Sequence, residues 1–265
     1  MKQLTLIAGL VVAALLAGTA IVVGGDMART SSASDPQGKA PGSGIGLPWQ
    51  IDTQPDGSSR VMGLSLGNEA QSSTLADVRR LWGPDVQIAI IAAPGENGSL
   101  EAFVDPAQAG FVSGKMVVSA RLPAEVIRGM RERAIKVDFM ESTTRKHTLQ
   151  PEDERAALAA PLTAVSFIPA ARLDAEAIVA RFGQPARRIQ SNGHLEHFLY
   201  PDKGLDVVLD SDGKELLQYV APAEFKRVQA PLEAALAASQ ATAQAAQAAR
   251  AAQVSEPLSA SAPKP

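Results

Sequence analysis

A short pattern occurs twice in this chain, and it constrains the fold more than any other feature. Residues 76–84 read ADVRRLWGP and residues 176–185 read EAIVARFGQP. Each is a helical run ending on an aromatic residue, then Gly83 or Gly183, with a proline close behind. Glycine accepts the left-handed backbone that stops a helix, and proline forbids its continuation. Both copies then carry Gly-x-Leu-Glu-x-Phe: Gly98, Leu100, Glu101 and Phe103 in the first, Gly193, Leu195, Glu196 and Phe198 in the second. A β-branched or alternating run follows each motif, at 116–118 and at 205–209. The second turns at Asp210-Ser211-Asp212-Gly213-Lys214, where Asp-Gly is a hairpin signal, and residues 216–220 close that sheet. An internal period of this kind predicts tandem units, each a helix followed by short antiparallel strands.

The 46% hydrophobic content overstates the core. Only 4% of residues are aromatic, and all of them lie between Trp49 and Phe225. The expected folded part is 61–228, comprising repeat 1 at 61–121, a helical connector at 122–160 and repeat 2 at 161–228. Residues 123–134 and 151–159 read as helices, and 162–168 as the strand entering repeat 2. The predicted class is α+β: two tandem helix-plus-antiparallel-sheet repeats between an N-terminal transmembrane helix and a C-terminal Ala-rich helix.

Both ends follow different physics. Residues 4–23 are uncharged and rich in Leu, Val, Ile and Ala. That run supplies the roughly 20 apolar residues a bilayer-crossing helix needs. A cleavable signal peptide has a shorter apolar stretch, and although Gly18-Thr19-Ala20 resembles a cleavage site, Ile21-Val22-Val23 runs past it. Residues 1–25 are therefore read as a signal anchor, with removal of the segment as the alternative. Lys2 precedes the span and Asp26 follows it, which puts the bulk of the chain outside the cytoplasm, in a bacterial periplasm. Residues 26–60 are rich in Ser, Gly, Pro and Asp and read as a tether. One island, residues 47–51 (LPWQI), reads as an arm laid on the domain through Trp49, or alternatively as a docking peptide. Residues 229–265 read as an Ala-rich helix opening near Pro231, then a Ser/Pro tail. Apolar heptads for a coiled coil are missing there.

The second copy resembles the small outer-membrane-assembly lipoproteins of the SmpA/OmlA type through Ile178, Phe182-Gly183-Gln184-Pro185, Tyr200 and the 210–214 turn. The first copy shares only the helix and Gly83-Pro84. A tandem pair also resembles the architecture of β-lactamase inhibitory protein. The resemblance covers about 60 residues per copy and implies a structural scaffold with no catalytic residues to transfer. The lipid-bearing cysteine of the lipoproteins is missing, since the chain has no cysteine, and so are the inhibitor's disulfides.

A net charge of −3 argues against nucleic-acid binding, which requires a basic face. Zero cysteines exclude a disulfide framework, a thiolate metal site and a Cys nucleophile. His194-Leu195-Glu196-His197 looks like a metal pair, but residues three apart on a strand point to opposite faces, so no metal is assigned. The Asp210–Asp212–Gly213 series starts like a calcium loop yet has Ala221 at the twelfth place, where a bidentate Glu is needed. Glu101 and Glu196 recur in both copies, which points to a shared architectural role. No phosphate-binding loop or nucleophile elbow occurs, and no cofactor is expected.

These readings lead to a membrane-anchored, non-enzymatic periplasmic interaction or envelope-assembly module, attached through residues 4–23. Its partners are envelope proteins, met by exposed His194, His197 and Tyr200 on the second sheet and by Trp49. The alternatives are a periplasmic metal-dependent or carboxylate-using hydrolase, and an envelope spacer.

Overall fold

The computed structural model describes residues 45–254 except 141, 142 and 192. The predicted membrane anchor and most of the predicted tether lie outside the described residues. Among the described residues, no helix is long and apolar enough to cross a membrane.

Three short strands, β1 (Ile51–Thr53), β2 (Ser59–Val61) and β3 (Leu64–Leu66), form a small antiparallel sheet. The sequence places 51–60 in a tether. The chain is ordered there because Val61, Met62, Leu64 and Leu66, each at most 1% exposed, insert into the core.

Helix α1 (Leu75–Trp82) leads into β4 (Gln87–Ala92), β5 (Ser99–Ala109) and β6 (Val112–Ala120). The helix starts with a capping box in which Thr74 and Asp77 satisfy each other's backbone N–H groups. It stops at Gly83, whose φ of 94° and ψ of 179° lie in a region essentially reserved for glycine. Next come α2 (Ala124–Glu132), β7 (Lys136–Phe139), β8 (Arg145–Thr148), α3 (Pro151–Leu158) and β9 (Leu162–Pro169). The connector is therefore not purely helical: its β7–β8 hairpin extends the sheet beyond β4. Val137 and Phe139 alternate with Lys136 and Asp138 as a strand does, but β8 (RKHT) has no apolar residue to mark it as the partner.

Helix α4 (Ala175–Phe182) is capped by the Asp174 carboxylate, which accepts the Ala177 N–H at 2.7 Å. It stops at Gly183, with φ 83° and ψ −171°. A meander of β10 (Arg187–Gln190), β11 (Leu195–Tyr200), β12 (Leu205–Asp210) and β13 (Leu216–Tyr219) follows. The chain ends in α5 (Lys226–Val254).

All ten strands from β4 onward form one antiparallel sheet in the order β10-β11-β12-β13-β9-β6-β5-β4-β8-β7. The β13 strand does not close a sheet of its own, as the sequence suggests. It pairs with β9, Tyr219 opposite Val165, and joins the two meanders side by side. Leu216 to Tyr219 are buried on both faces, so this strand has the character of an interior one.

The sheet's faces are distinct. Leu100, Ala102, Val104, Met116, Val118, Val165, Phe167, Phe198, Val207 and Leu217 lie on one face. They pack in a single cluster with Leu75 and Val78 of α1, Ile127 and Met130 of α2, Ala157 of α3, and Ile178 and Phe182 of α4. The opposite face is covered at one end of the second meander by α5 and the residue just before it, through Phe225, Val228, Leu232 and Leu236 on Ala164, Ile189, Leu199 and Val220. This helix starts at Lys226, five residues before the sequence places it, and includes Pro231. Burial of Val228 ahead of the proline offsets the backbone hydrogen bond that Pro231 cannot make.

Candidate functional site

The polar groups that could do chemistry collect around β11 and β12. Alternation along β11 sends Leu195, His197 and Leu199 to the face away from α4, and cross-strand pairing puts Asp206 and Val208 beside them. Asp206 stands opposite Gln218, and Gln218 opposite Ser166, so a polar row crosses three strands inside the sheet. His197, Asp206, Gln218 and Ser166 are all buried.

Diagonally beside the row, His197 Nδ1 lies 2.8 Å from Asp206 Oδ2. His197 Nε2 lies 3.1 Å from the Ser191 hydroxyl, in the turn between β10 and β11. With Nδ1–H donating to the carboxylate, the Nε2 lone pair accepts from Ser191. Hydroxyl, imidazole and carboxylate thus form a continuous chain from a half-buried turn into the sheet interior. Burial raises the Asp206 carboxyl above the usual range, against the opposing hydrogen bond and charge of His197. Its second oxygen, Oδ1, has no partner among the described residues. In the same region His194 Nδ1 meets Asp210 Oδ1 at 2.9 Å. Burial pushes Asp210 up, but the His194 contact and the backbone N–H groups of Asp212 and Gly213 outweigh it, so the net shift is downward.

The two histidines therefore hold separate aspartates and do not converge. Among the described residues, no three His, Asp or Glu side chains gather as metal ligands. His194 keeps a side chain 40% exposed. His197 is wholly buried and Tyr200 nearly so, with its hydroxyl donating to the Gly183 carbonyl at 2.9 Å. Both are corrections to the expectation of exposed strand residues. A polar residue flanked by leucines at i±2 belongs to the apolar side of its strand, and that signal was present in Leu195-x-His197-x-Leu199. Trp49 is half-buried, edge-on to Phe111 at 5.9 Å with the Arg181 guanidinium 5.0 Å above its ring. Its neighbours fix the arm: Ile45 is buried, and the Pro48 carbonyl accepts the Tyr219 hydroxyl at 2.8 Å.

Glu101 and Glu196 do not share a position. Glu101 pairs across from Ala89 of β4, whereas Ile189, the β10 residue buried on the corresponding face, pairs with His197. The second motif is thus one residue out of step with the first, and a one-residue slip exchanges the two faces of a strand. Glu196 lies on the α4 side, bound by both ends of the Arg188 guanidinium at 2.8 and 2.9 Å. Glu101 lies on the far side, accepting the Ser99 hydroxyl at 2.6 Å, and burial raises its carboxyl.

Comparison with protein-family models, with curated proteins and with solved structures gave no match.

Proposed function

We propose that this chain is a non-enzymatic interaction module of the bacterial envelope, anchored in the inner membrane by residues 4–23 with its folded part in the periplasm. Its partner is another envelope protein. One observation carries the binding part of this reading. On the sheet face away from the four packed helices, the first meander presents Ile91, Phe103 and Val117 half-buried, outside the apolar clusters of the core. Among the described residues no helix packs on that half, so apolar side chains there are available to a partner. The apolar run at 4–23 behind Lys2 supports the anchoring. The helix starts and stops of the two meanders support a repeated unit. Both meanders start from an eight-residue helix capped at Thr74 or Asp174 and ended by a glycine with nearly the same φ and ψ.

A photo-crosslinking amino acid at Phe103, in the full-length chain in cells, tests this reading. A discrete adduct with an envelope protein, lost on Val117→Arg, is the expected result. Labelling no stronger than from Gln240 on α5 would count against it. Deleting residues 1–25 should release the protein from the membrane fraction.

The Ser191–His197–Asp206 chain favours a second reading, a hydrolase working by acyl transfer. Its connectivity is that of a serine nucleophile activated by a histidine base that a carboxylate orients. Ser191 Oγ would bond the acyl carbon, pass its proton to His197 Nε2, and the leaving group would depart with that proton. Against this stands the enclosure of His197 and Asp206, which keeps the base from a leaving group. A fluorophosphonate probe decides: an adduct on Ser191, lost in His197→Gln, establishes the second reading, and an unlabelled Ser191 removes it.

A further inference from the structure

The ten-stranded sheet has two edge strands that differ in kind. At β10, Arg187 pairs with Glu233 of α5 and Arg188 with Glu196, so charge and a crossing helix guard the edge. At the other end, β7 pairs only with β8 among the described strands. Three large apolar residues there face solvent: Ile135 at 66% exposure, Val137 at 43% and Phe139 at 75%. Alternation puts Val137 and Phe139 on one face, where the Arg145 guanidinium also sits 5.0 Å over the Phe139 ring; Ile135 precedes the strand and its N–H donates to the Thr148 carbonyl of β8 at 3.1 Å. Lys136 and Asp138 occupy the other face, in contact at 2.9 Å.

The backbone of β7 is also aligned for pairing. Met140 N–H donates to the Thr144 carbonyl at 3.0 Å, in line with the register Asp138 opposite Lys146 and Lys136 opposite Thr148. In an antiparallel ladder, hydrogen-bonded and open pairs alternate. The N–H and C=O groups of Val137 and Phe139 therefore turn outward, away from β8.

We propose that β7 is a self-association edge, pairing antiparallel with β7 of a second copy about a two-fold axis through Val137. The side chains single out this register. It sets Val137 against Val137 of the second copy and brings Phe139 of each copy beside residue 135 of the other, joining the exposed apolar side chains of Val137 and Phe139 on one face. On the other face it sets Lys136 against Asp138 of the second copy, in both directions. An axis through Lys136 or Asp138 would instead oppose like charges, which is destabilising across strands. An axis between residues would place an apolar side chain against a charged one on the wrong face. In the Val137 register, Val137 N–H groups donate to the opposing Val137 carbonyls, and Phe139 N–H groups to the Ile135 carbonyls. The inference does not depend on the proposed envelope partner, which concerns a different face of the sheet.

The lack of cysteine makes the test clean, because Val137→Cys introduces the only thiol. On the axis, Cα atoms about 5.5 Å apart fall within disulfide range. In mild detergent, purified full-length V137C should form a disulfide dimer under mild oxidation much faster than Phe111→Cys, a control at a residue 79% exposed elsewhere. Sedimentation velocity of the unaltered chain should show a concentration-dependent dimer. Lys136→Glu or Asp138→Lys alone should weaken it about tenfold, and the double variant K136E/D138K should restore it, because the pairs are exchanged. Circular dichroism confirms that each variant is folded. A chain that stays monomeric throughout the series overturns the proposal. So does a dimer that neither single reversal weakens, or a V137C that crosslinks no faster than F111C.

Discussion

In the first meander, the sheet face away from the four packed helices holds Ile91, Phe103 and Val117 half-buried, with Glu101 among them. In the second, the same face is closed by α5 at one end and filled by His197, Asp206 and Gln218 in the middle. Counted by strand pairing, Glu101 stands where the second meander has His197. At one position, then, the first half keeps a lone carboxyl with only a serine donor, and the second a histidine paired to an aspartate. Similar backbones reached by similar helix starts and stops thus carry different chemistry. The difference comes from what covers the sheet and from a one-residue shift in the sequence laid on it.

The largest effects should come from the shared core, where the halves ought to behave alike. Phe198→Ala in the second meander should cost about 3–5 kcal/mol and Leu100→Ala in the first about 2–5, since both side chains are wholly buried. Because β9 and β13 join the meanders, denaturant unfolding should remain a single transition in both variants, seen by circular dichroism and amide exchange. Two separate transitions would break the one-sheet view.

The helix stops offer a finer comparison. A Cβ at Gly83 meets nothing within 4 Å, and at Gly183 only the Lys203 Nζ at 3.8 Å. Gly83→Ala and Gly183→Ala should therefore both lose about 1–3 kcal/mol, from backbone strain alone, measured by thermal melting. A large inequality would show that the two stops are not equivalent.

The titratable groups should respond to pH with opposite signs. Burial raises the folded-state Glu101 carboxyl above the ordinary 4.5. Its contribution is therefore fully present below pH 4.5 and is lost as pH rises through the raised value. Glu101→Gln should then stabilise the protein at neutral pH relative to the unaltered chain, with the gain fading below about pH 4.5. Asp210 is lowered below 3.8 by the net balance of burial against its partners. Its contribution is present above pH 3.8 and is lost as pH falls through the lowered value, so Asp210→Asn should destabilise at neutral pH. Melting both variants from pH 3 to 8 checks the signs.

The smallest effect belongs to the distal part of α5. Residues 237–247 are exposed wherever their side chains are described, and the last core contact is Leu236. Ending the chain after Gln240 should leave stability within about 0.5 kcal/mol, while Leu232→Ala should cost about 2 kcal/mol or more by uncovering Ile189 and Leu199. A strong loss on truncation would mean that the tail packs on the sheet.

Local chemistry in the sequence determined much of this. The glycine stops after Trp82 and Phe182, the Asp-Gly hairpin before β13, the helix at Pro151–Leu158 and the strand at Leu162–Pro169 all depend on residues a few positions apart. They are legible for that reason. Partnerships across strands were not. Ser191 and Asp206 meet His197 only through hairpin register, and the apparent match of Glu101 with Glu196 dissolves when pairing, not spelling, aligns the strands. The joining of the meanders through β9 and β13 likewise follows from which edges meet in space. Helix stops and turns are set by the backbone preferences of single residues, so sequence alone decides them. Which face a side chain occupies, and what lies over it, is set by contacts between distant segments, and only the tertiary structure decides that.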